Sequence, residues 1–138
     1  SIFQKTGQIV FGGFGSTAQH SYFQLLHQGT GSVCADVFTI TDNKESNKLL
    51  CAQSQAQSNL LANGADAKLQ EFEKVNGNIP TNLFTLESLN SFNFGYLIAT
   101  LEHRTFLTSQ MLQINPFDQY GVSAGKIFTK KYLEKHGS

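Results

Sequence analysis

No charge of one sign dominates this sequence: ten Lys and Arg offset ten Asp and Glu, and charged residues make up only 14% of the 138. So balanced a chain has no basic field to gather a phosphate backbone and no acidic tail to solvate a disordered arm, which disfavours nucleic-acid binding. Cysteine is equally scarce. Cys34 and Cys51 lack a CxxC or Cys/His ligand spacing and lie among apolar neighbours, which excludes a disulfide framework and predicts two reduced, packed thiols of a cytosolic protein. A membrane-length apolar run is missing too: the longest charge-free apolar run, near 88–101, is interrupted by Ser and Asn and stops at Glu102, His103 and Arg104. It predicts a buried helix and no membrane span. No signal peptide, repeat or low-complexity tract is visible. The sequence opens Ser-Ile-Phe without an initiator Met and closes Lys-His-Gly-Ser, which raises the expectation of a piece of a longer protein.

What is present is apolar mass: 40% hydrophobic residues, 12 of the 138 being Phe, enough for the core of one globular domain. The run QIVFG at 8–12 reads as a short buried strand, and 16–28 switch to helical spacing, with Ser16 or Thr17 as N-cap and Gly29 as the stop. SVCADVFTI, 32–40, is a second strand, so the three form a predicted parallel βαβ unit. Asp42 and Glu45 suggest a capping box for a helix running through Leu49, Leu50, Leu60 and Leu61 to Asn63-Gly64. A short helix over Lys68–Phe72, a strand at 82–86, a long helix over 87–113 and a last helix starting between Asp118 and Val122 complete the pattern. The expected fold is an α/β layered sandwich, a small and mostly parallel sheet flanked by helices.

Two stretches could carry chemistry. In FGGFGSTAQH, 11–20, a strand ending in glycines turns into a helix, leaving backbone N–H groups free for an anion or a hydroxyl-rich ligand. Residues 13–18 spell G-x-G-x-x-A with Asp36 downstream, the outline of a dinucleotide site, although Asp36 falls inside its strand and tight strand-to-helix turns use small residues for packing alone. His20 then occupies the first helical turn, beside the positive end of the dipole, where a neutral imidazole can accept a proton and return it. A hydrogen-bonded structural role is the other reading. For His27 and His103 the structural role is preferred, since no third metal donor accompanies them at ligand spacing.

The second stretch, INPFDQYGVSAGK at 114–126, sets Gln119 and Lys126 seven residues apart among glycines and small residues. On a helix they share a face, one able to orient a ligand and the other to supply charge; alternatively Gln119 caps the helix and Lys126 reaches for water.

These stretches together resemble the phosphoglucose isomerase family. SQMLQINPFDQYGVSAGK, 109–126, is similar throughout to that family's C-terminal signature, Phe-Asp-Gln-x-Gly-Val-Ser with a Lys three residues later. STAQHSYFQLLHQGT, 16–30, resembles its Gln-His-x-x-x-Gln-x-x-His-Gln-Gly-Thr segment, GNIPTN its Gly-Asn-Arg-Pro-Thr-Asn, and Leu101-Glu102-His103 its Tyr-Glu-His turn. The resemblance implies a sugar-isomerase domain, of which residues 1–138 are the C-terminal portion, interconverting glucose 6-phosphate and fructose 6-phosphate in the cytoplasm without a cofactor or metal. It implies a homodimer whose active site is shared between subunits. By it, His20 is the catalytic histidine of ring opening, Lys126 the catalytic lysine facing the ring oxygen or enediolate charge, and Gln119 a sugar contact.

Three departures qualify the match. Gly12-Gly13-Phe14-Gly15 stands where the family has Gly-Glu-Pro-Gly, and Ile79 replaces the Arg. The Glu that moves the proton between C1 and C2, in a Glu-Ser-Asn-Gly-Lys motif, and the phosphate-binding Ser and Thr residues belong upstream of everything here. Glu45-Ser46-Asn47-Lys48 imitates that motif but lacks its glycine, follows His20, and opens a helix; it is rejected as the base. The rival class is a non-catalytic sugar-phosphate or dinucleotide-binding module.

Overall fold

The computed structural model describes residues 8–42, 45–65 and 70–137. Its elements in order are α1 (Gly15–Gln19), α2 (Phe23–Gln28), β1 (Ala35–Ile40), α3 (Glu45–Asn63), a 3-10 turn (Glu71–Glu73), β2 (Thr81–Leu86), α4 (Ser91–Leu112) and α5 (Tyr120–His136). The chain divides between Phe94 and Gly95 into two compact units.

In the first unit β1 and β2 pair in parallel, in register from Ala35 opposite Thr81 to Ile40 opposite Leu86. Parallel neighbours cannot be joined by a hairpin, and α3 is the crossover. It lies across the face that presents Val37 and Thr39: Thr39 is buried, and its hydroxyl donates to Cys51 Sγ at 3.5 Å while that thiol donates to the Ile40 carbonyl at 2.9 Å. On the opposite face Phe38 stacks on its register partner Phe84, with ring centroids 4.9 Å apart and planes 16° from parallel. Leu61, at 1% exposure, is the most deeply buried large side chain and lies in the last turn of α3.

The end of α3 is fixed by a backbone crossing. Gly64 (φ +75°) closes the helix, and Gly77 (φ +65°) and Asn78 (φ +59°) bring the chain back so that the N–H groups of Asn78 and Ile79 donate to Ala62 and Leu61 carbonyls at 2.8 and 3.1 Å. Those bonds satisfy orphan carbonyls of the helix end and aim the next residues into β2. A Cβ on Gly77 would stand 2.3 Å from the Gly64 nitrogen, in a backbone region L-residues rarely adopt. Gly77→Ala is therefore expected to cost at least about 1–3 kcal/mol. Gly31→Ala, where an added Cβ meets nothing within 4 Å, is expected to stay within about 0.5 kcal/mol. Denaturant unfolding of the two variants checks the contrast.

The second unit holds the rest of α4 and α5. The end of α4 is a Schellman turn: Gln113 adopts φ +56°, its N–H donates to Gln110 O at 3.1 Å, and Ile114 N–H donates to Ser109 O at 3.0 Å. Asn115 then accepts from Phe117 N–H at 3.0 Å and donates to Asp118 at 2.9 Å, a side-chain turn that delivers the chain to Gln119, the N-cap of α5.

The α/β class, the small parallel sheet, α3, α4, α5, the stop at Gly29 and the strand near 82–86 agree with expectation. Other expectations are corrected. Residues 8–12 form no strand and are exposed; a β-branched run needs a neighbouring strand to complete its ladder, and no described strand adjoins it. The βαβ unit is instead β1-α3-β2. The helix expected over 16–28 is broken at 20–22, and neither Ser16 nor Thr17 caps it: the N-cap of α1 is Phe14, with no side-chain cap bond. Tyr22 sits in the break with its ring edge-on to Phe11 and stacked on Phe23, aromatic packing that outweighs helical continuity. The helix over 88–101 is not buried, since Phe92, Tyr96 and Met111 of α4 are 79%, 68% and 84% exposed. Cys34 is exposed rather than packed. Residues 43 and 44, between Asp42 and the start of α3 at Glu45, lie outside those described, and with them the N-cap of α3; Asp42 accepts a hydrogen bond from Asn47, and Glu45 pairs with Lys48. Of the expected Lys68–Phe72 helix, residues 68 and 69 are likewise outside those described, and Glu71–Glu73 form a 3-10 turn with Gln70 as its N-cap.

Candidate active site

His20 stands one residue past α1, at φ −89° and ψ 1°, as that helix's C-cap. The expectation of a first-turn histidine beside a positive dipole end is therefore corrected: the glycine loop enters a helix of five residues, and His20 follows its carbonyl end. What holds it is a tight corner in which His20 N–H donates to Thr17 O at 3.1 Å and the N–H groups of Ser21 and Tyr22 both donate to Ala18 O at 3.0 Å. Ala18, 3% exposed, is the buried pivot of that corner. The His20 side chain is exposed, open to a ligand or to another part of a longer protein.

Gln119 and Lys126 both belong to α5, the first as its N-cap and the second in its second turn. Gln119 is at the N-cap position, yet its side chain makes no cap bond; its carbonyl accepts from Ser123 N–H at 3.0 Å. Seven residues at 1.5 Å rise put Lys126 about 10 Å further along nearly the same face. Lys126 is exposed and makes no ion pair or hydrogen bond among the described residues. Both side chains are thus uncommitted, as ligand-binding groups must be. Between them, a Cβ added at Gly121 or Gly125 would meet nothing within 4 Å. The two glycines leave bare backbone on an open helix, so their small size serves no packing within this unit.

The remaining histidines are engaged locally. His103 Nδ1 is 2.7 Å from Ala99 O, one turn back along α4, and His27 Nε2 is 2.9 Å from Gln57 Oε1 on α3. Sequence reasoning did not see the His27–Gln57 pair, because nothing local links positions thirty residues apart. Among the described residues no group of three or more His, Cys, Asp or Glu is placed to hold a metal ion, and no helix is long and apolar enough to cross a membrane.

The dinucleotide outline loses its context, since no strand precedes the glycines among the described residues and the helix after them has five residues. Asp36 lies on β1 and accepts from Asn82 Nδ2 across the register at 2.9 Å, where a ribose hydroxyl would have to displace a sheet contact. Calorimetric titration with NAD is expected to show no saturable binding at millimolar cofactor; saturation that Asp36→Ala abolishes would restore the dinucleotide reading.

Comparison with known proteins decides the family. The profile described as phosphoglucose isomerase matches residues 1–137. The chain belongs to the phosphoglucose isomerase family. Among its relatives, the glucose-6-phosphate isomerase of Acinetobacter baumannii (strain AYE) is 39% identical over 150 aligned positions, covering 93% of this chain and 27% of the relative. That of Wigglesworthia glossinidia brevipalpis is 37% identical, covering 92% and 27%. A crystal structure of a glucose-6-phosphate isomerase from Chlamydia trachomatis D/UW-3/Cx matches with a TM-score of 0.86 at 31% identity, over 97% of this chain and 28% of that one. The phosphoglucose isomerase segment in hand therefore spans little more than a quarter of its relatives' length.

Proposed function

We propose that residues 1–138 are the C-terminal portion of one sugar-isomerase domain in a longer glucose-6-phosphate isomerase, interconverting glucose 6-phosphate and fructose 6-phosphate in glycolysis and gluconeogenesis. The observation that carries the reading is the family match across nearly the whole chain, with relatives named for that activity. The enzyme is cytoplasmic and homodimeric in this reading, with an active site to which His20 of one subunit and residues of the other contribute.

The chemistry follows from the groups present. Ring opening breaks the C1–O5 bond of the cyclic sugar; O5 gains a proton and the O1 hydroxyl loses one, leaving an aldehyde. His20 moves that proton, which suits an exposed imidazole without a hydrogen-bond partner of its own among the described residues. Isomerisation then shifts a hydrogen from C2 to C1 through an enediolate, by way of a Glu supplied upstream of this segment. Lys126 opposes the negative charge on the enediolate oxygens, and Gln119, two turns away, orients the sugar hydroxyls. The test is the full-length protein with fructose 6-phosphate in a coupled assay for glucose 6-phosphate. Turnover that falls by about 10²-fold or more in Lys126→Met supports the reading, and no turnover in the unmodified protein overturns it.

A further inference from the structure

His27 takes no part in the chemistry assigned to His20, yet it makes a bond that holds His20's corner against the rest of the first unit. Its Nε2 lies 2.9 Å from Gln57 Oε1 in a part-buried pair. With the amide oxygen facing the ring, Nε2 carries the proton and donates it, and Nδ1 is left with a lone pair. That Nδ1 is buried and has no hydrogen-bond partner among the described residues. A side chain serving only to fill the space would strand no polar nitrogen there, since an apolar ring of similar size fills it without the unmet acceptor. What imidazole adds is a directional bond to α3.

The position of that bond gives it leverage. It lies in the last turn of α2, and the neighbouring Gln28 amide donates to the Phe72 and Lys74 carbonyls at 3.0 and 2.8 Å. From His27 a ladder of rings leads back through Phe23 (5.7 Å) and Tyr22 (5.9 Å) to Phe11 (5.1 Å) in the glycine loop. A parallel ladder of backbone bonds runs from Leu26 to Tyr22 O and from Tyr22 to Ala18 O. Neither α1 nor α2 has a side-chain cap to fix its start, so the His20 turn takes its location from where α2 is fastened.

We infer that His27, through Gln57, is a positioning residue for His20: it sets the imidazole of the ring-opening step without touching the sugar. The inference rests on the ring-opening role proposed for His20. Its test uses the full-length enzyme with His20→Ala, His27→Phe, Gln57→Met and Gln57→Glu. Each is assayed on cyclic glucose 6-phosphate and on an analogue held open by methylation of O4 and O5. His27→Phe and Gln57→Met are expected to lower kcat on the cyclic substrate by about 10²-fold with KM unchanged, to spare the open analogue, and to add no further loss to His20→Ala. Gln57→Glu keeps an acceptor oxygen and is expected to retain the parent activity. Losses that fall equally on both substrates, or that multiply with those of His20→Ala, overturn the positioning role. A selective loss in His20→Ala with none in the other variants overturns this inference alone, whereas no selectivity in His20→Ala removes the role of His20 itself. Thermal melting monitors folding, and if one of His27→Phe and Gln57→Met fails to fold, the other decides.

Discussion

Replacing His20 by Ala in the full-length enzyme is expected to slow turnover of cyclic glucose 6-phosphate by about 10² to 10⁴, the usual contribution of a positioned acid-base group, while an open-chain analogue is turned over nearly as before. The two substrates differ in a single step. Only the cyclic form must exchange a proton between O1 and O5 as its ring opens, and the exposed His20 at the end of α1 is the group assigned to that exchange. The later proton shift between carbons uses a different base, so removing the imidazole leaves it intact once the aldehyde exists. Stopped-flow comparison of the two substrates measures the difference, and equal losses on both remove His20 from ring opening.

A complete loss is expected for the 138 residues alone: purified without the rest of the enzyme, they are expected not to interconvert the two sugar phosphates. Proton transfer between adjacent carbons has the highest intrinsic barrier, and the described carboxylates are engaged elsewhere or simply solvated. Glu45 pairs with Lys48 at 2.6 Å, Glu134 with Lys130 at 4.0 Å, and Glu73 caps the turn that Gln70 begins. Asp36 and Asp118 accept from Asn82 and Asn115, while Glu71, Glu87 and Glu102 are exposed on the surface of their elements. In the proposed reading the phosphate anchors lie upstream with the base, and with them the remote binding energy that holds the reacting carbons in place. Isomerase activity in the purified segment, abolished by changing one of these carboxylates, would place the base within this chain.

The sequence by itself determined the parts of this protein that depend on neighbours a few residues away. Alternating β-branched and aromatic residues specified β1 and β2, the Asn63-Gly64 stop ended α3, and the run from Asn115 to Lys126 marked both the start of α5 and the positions of Gln119 and Lys126. Those features rest on backbone sterics and helical spacing, which act over one or two turns. The tertiary structure alone decided the rest. QIVFG has strand composition but no described strand to pair with, and the apolar stripe of α4 declared a face for burial without saying what buries it. The break at His20 arises where Tyr22 meets Phe11 across the glycine loop, and the hold on that corner comes from Gln57, thirty residues beyond His27. Composition fixes which surfaces must leave water, because that cost belongs to each side chain; which surface they meet depends on chain closure over long separations, and local spacing carries no record of it.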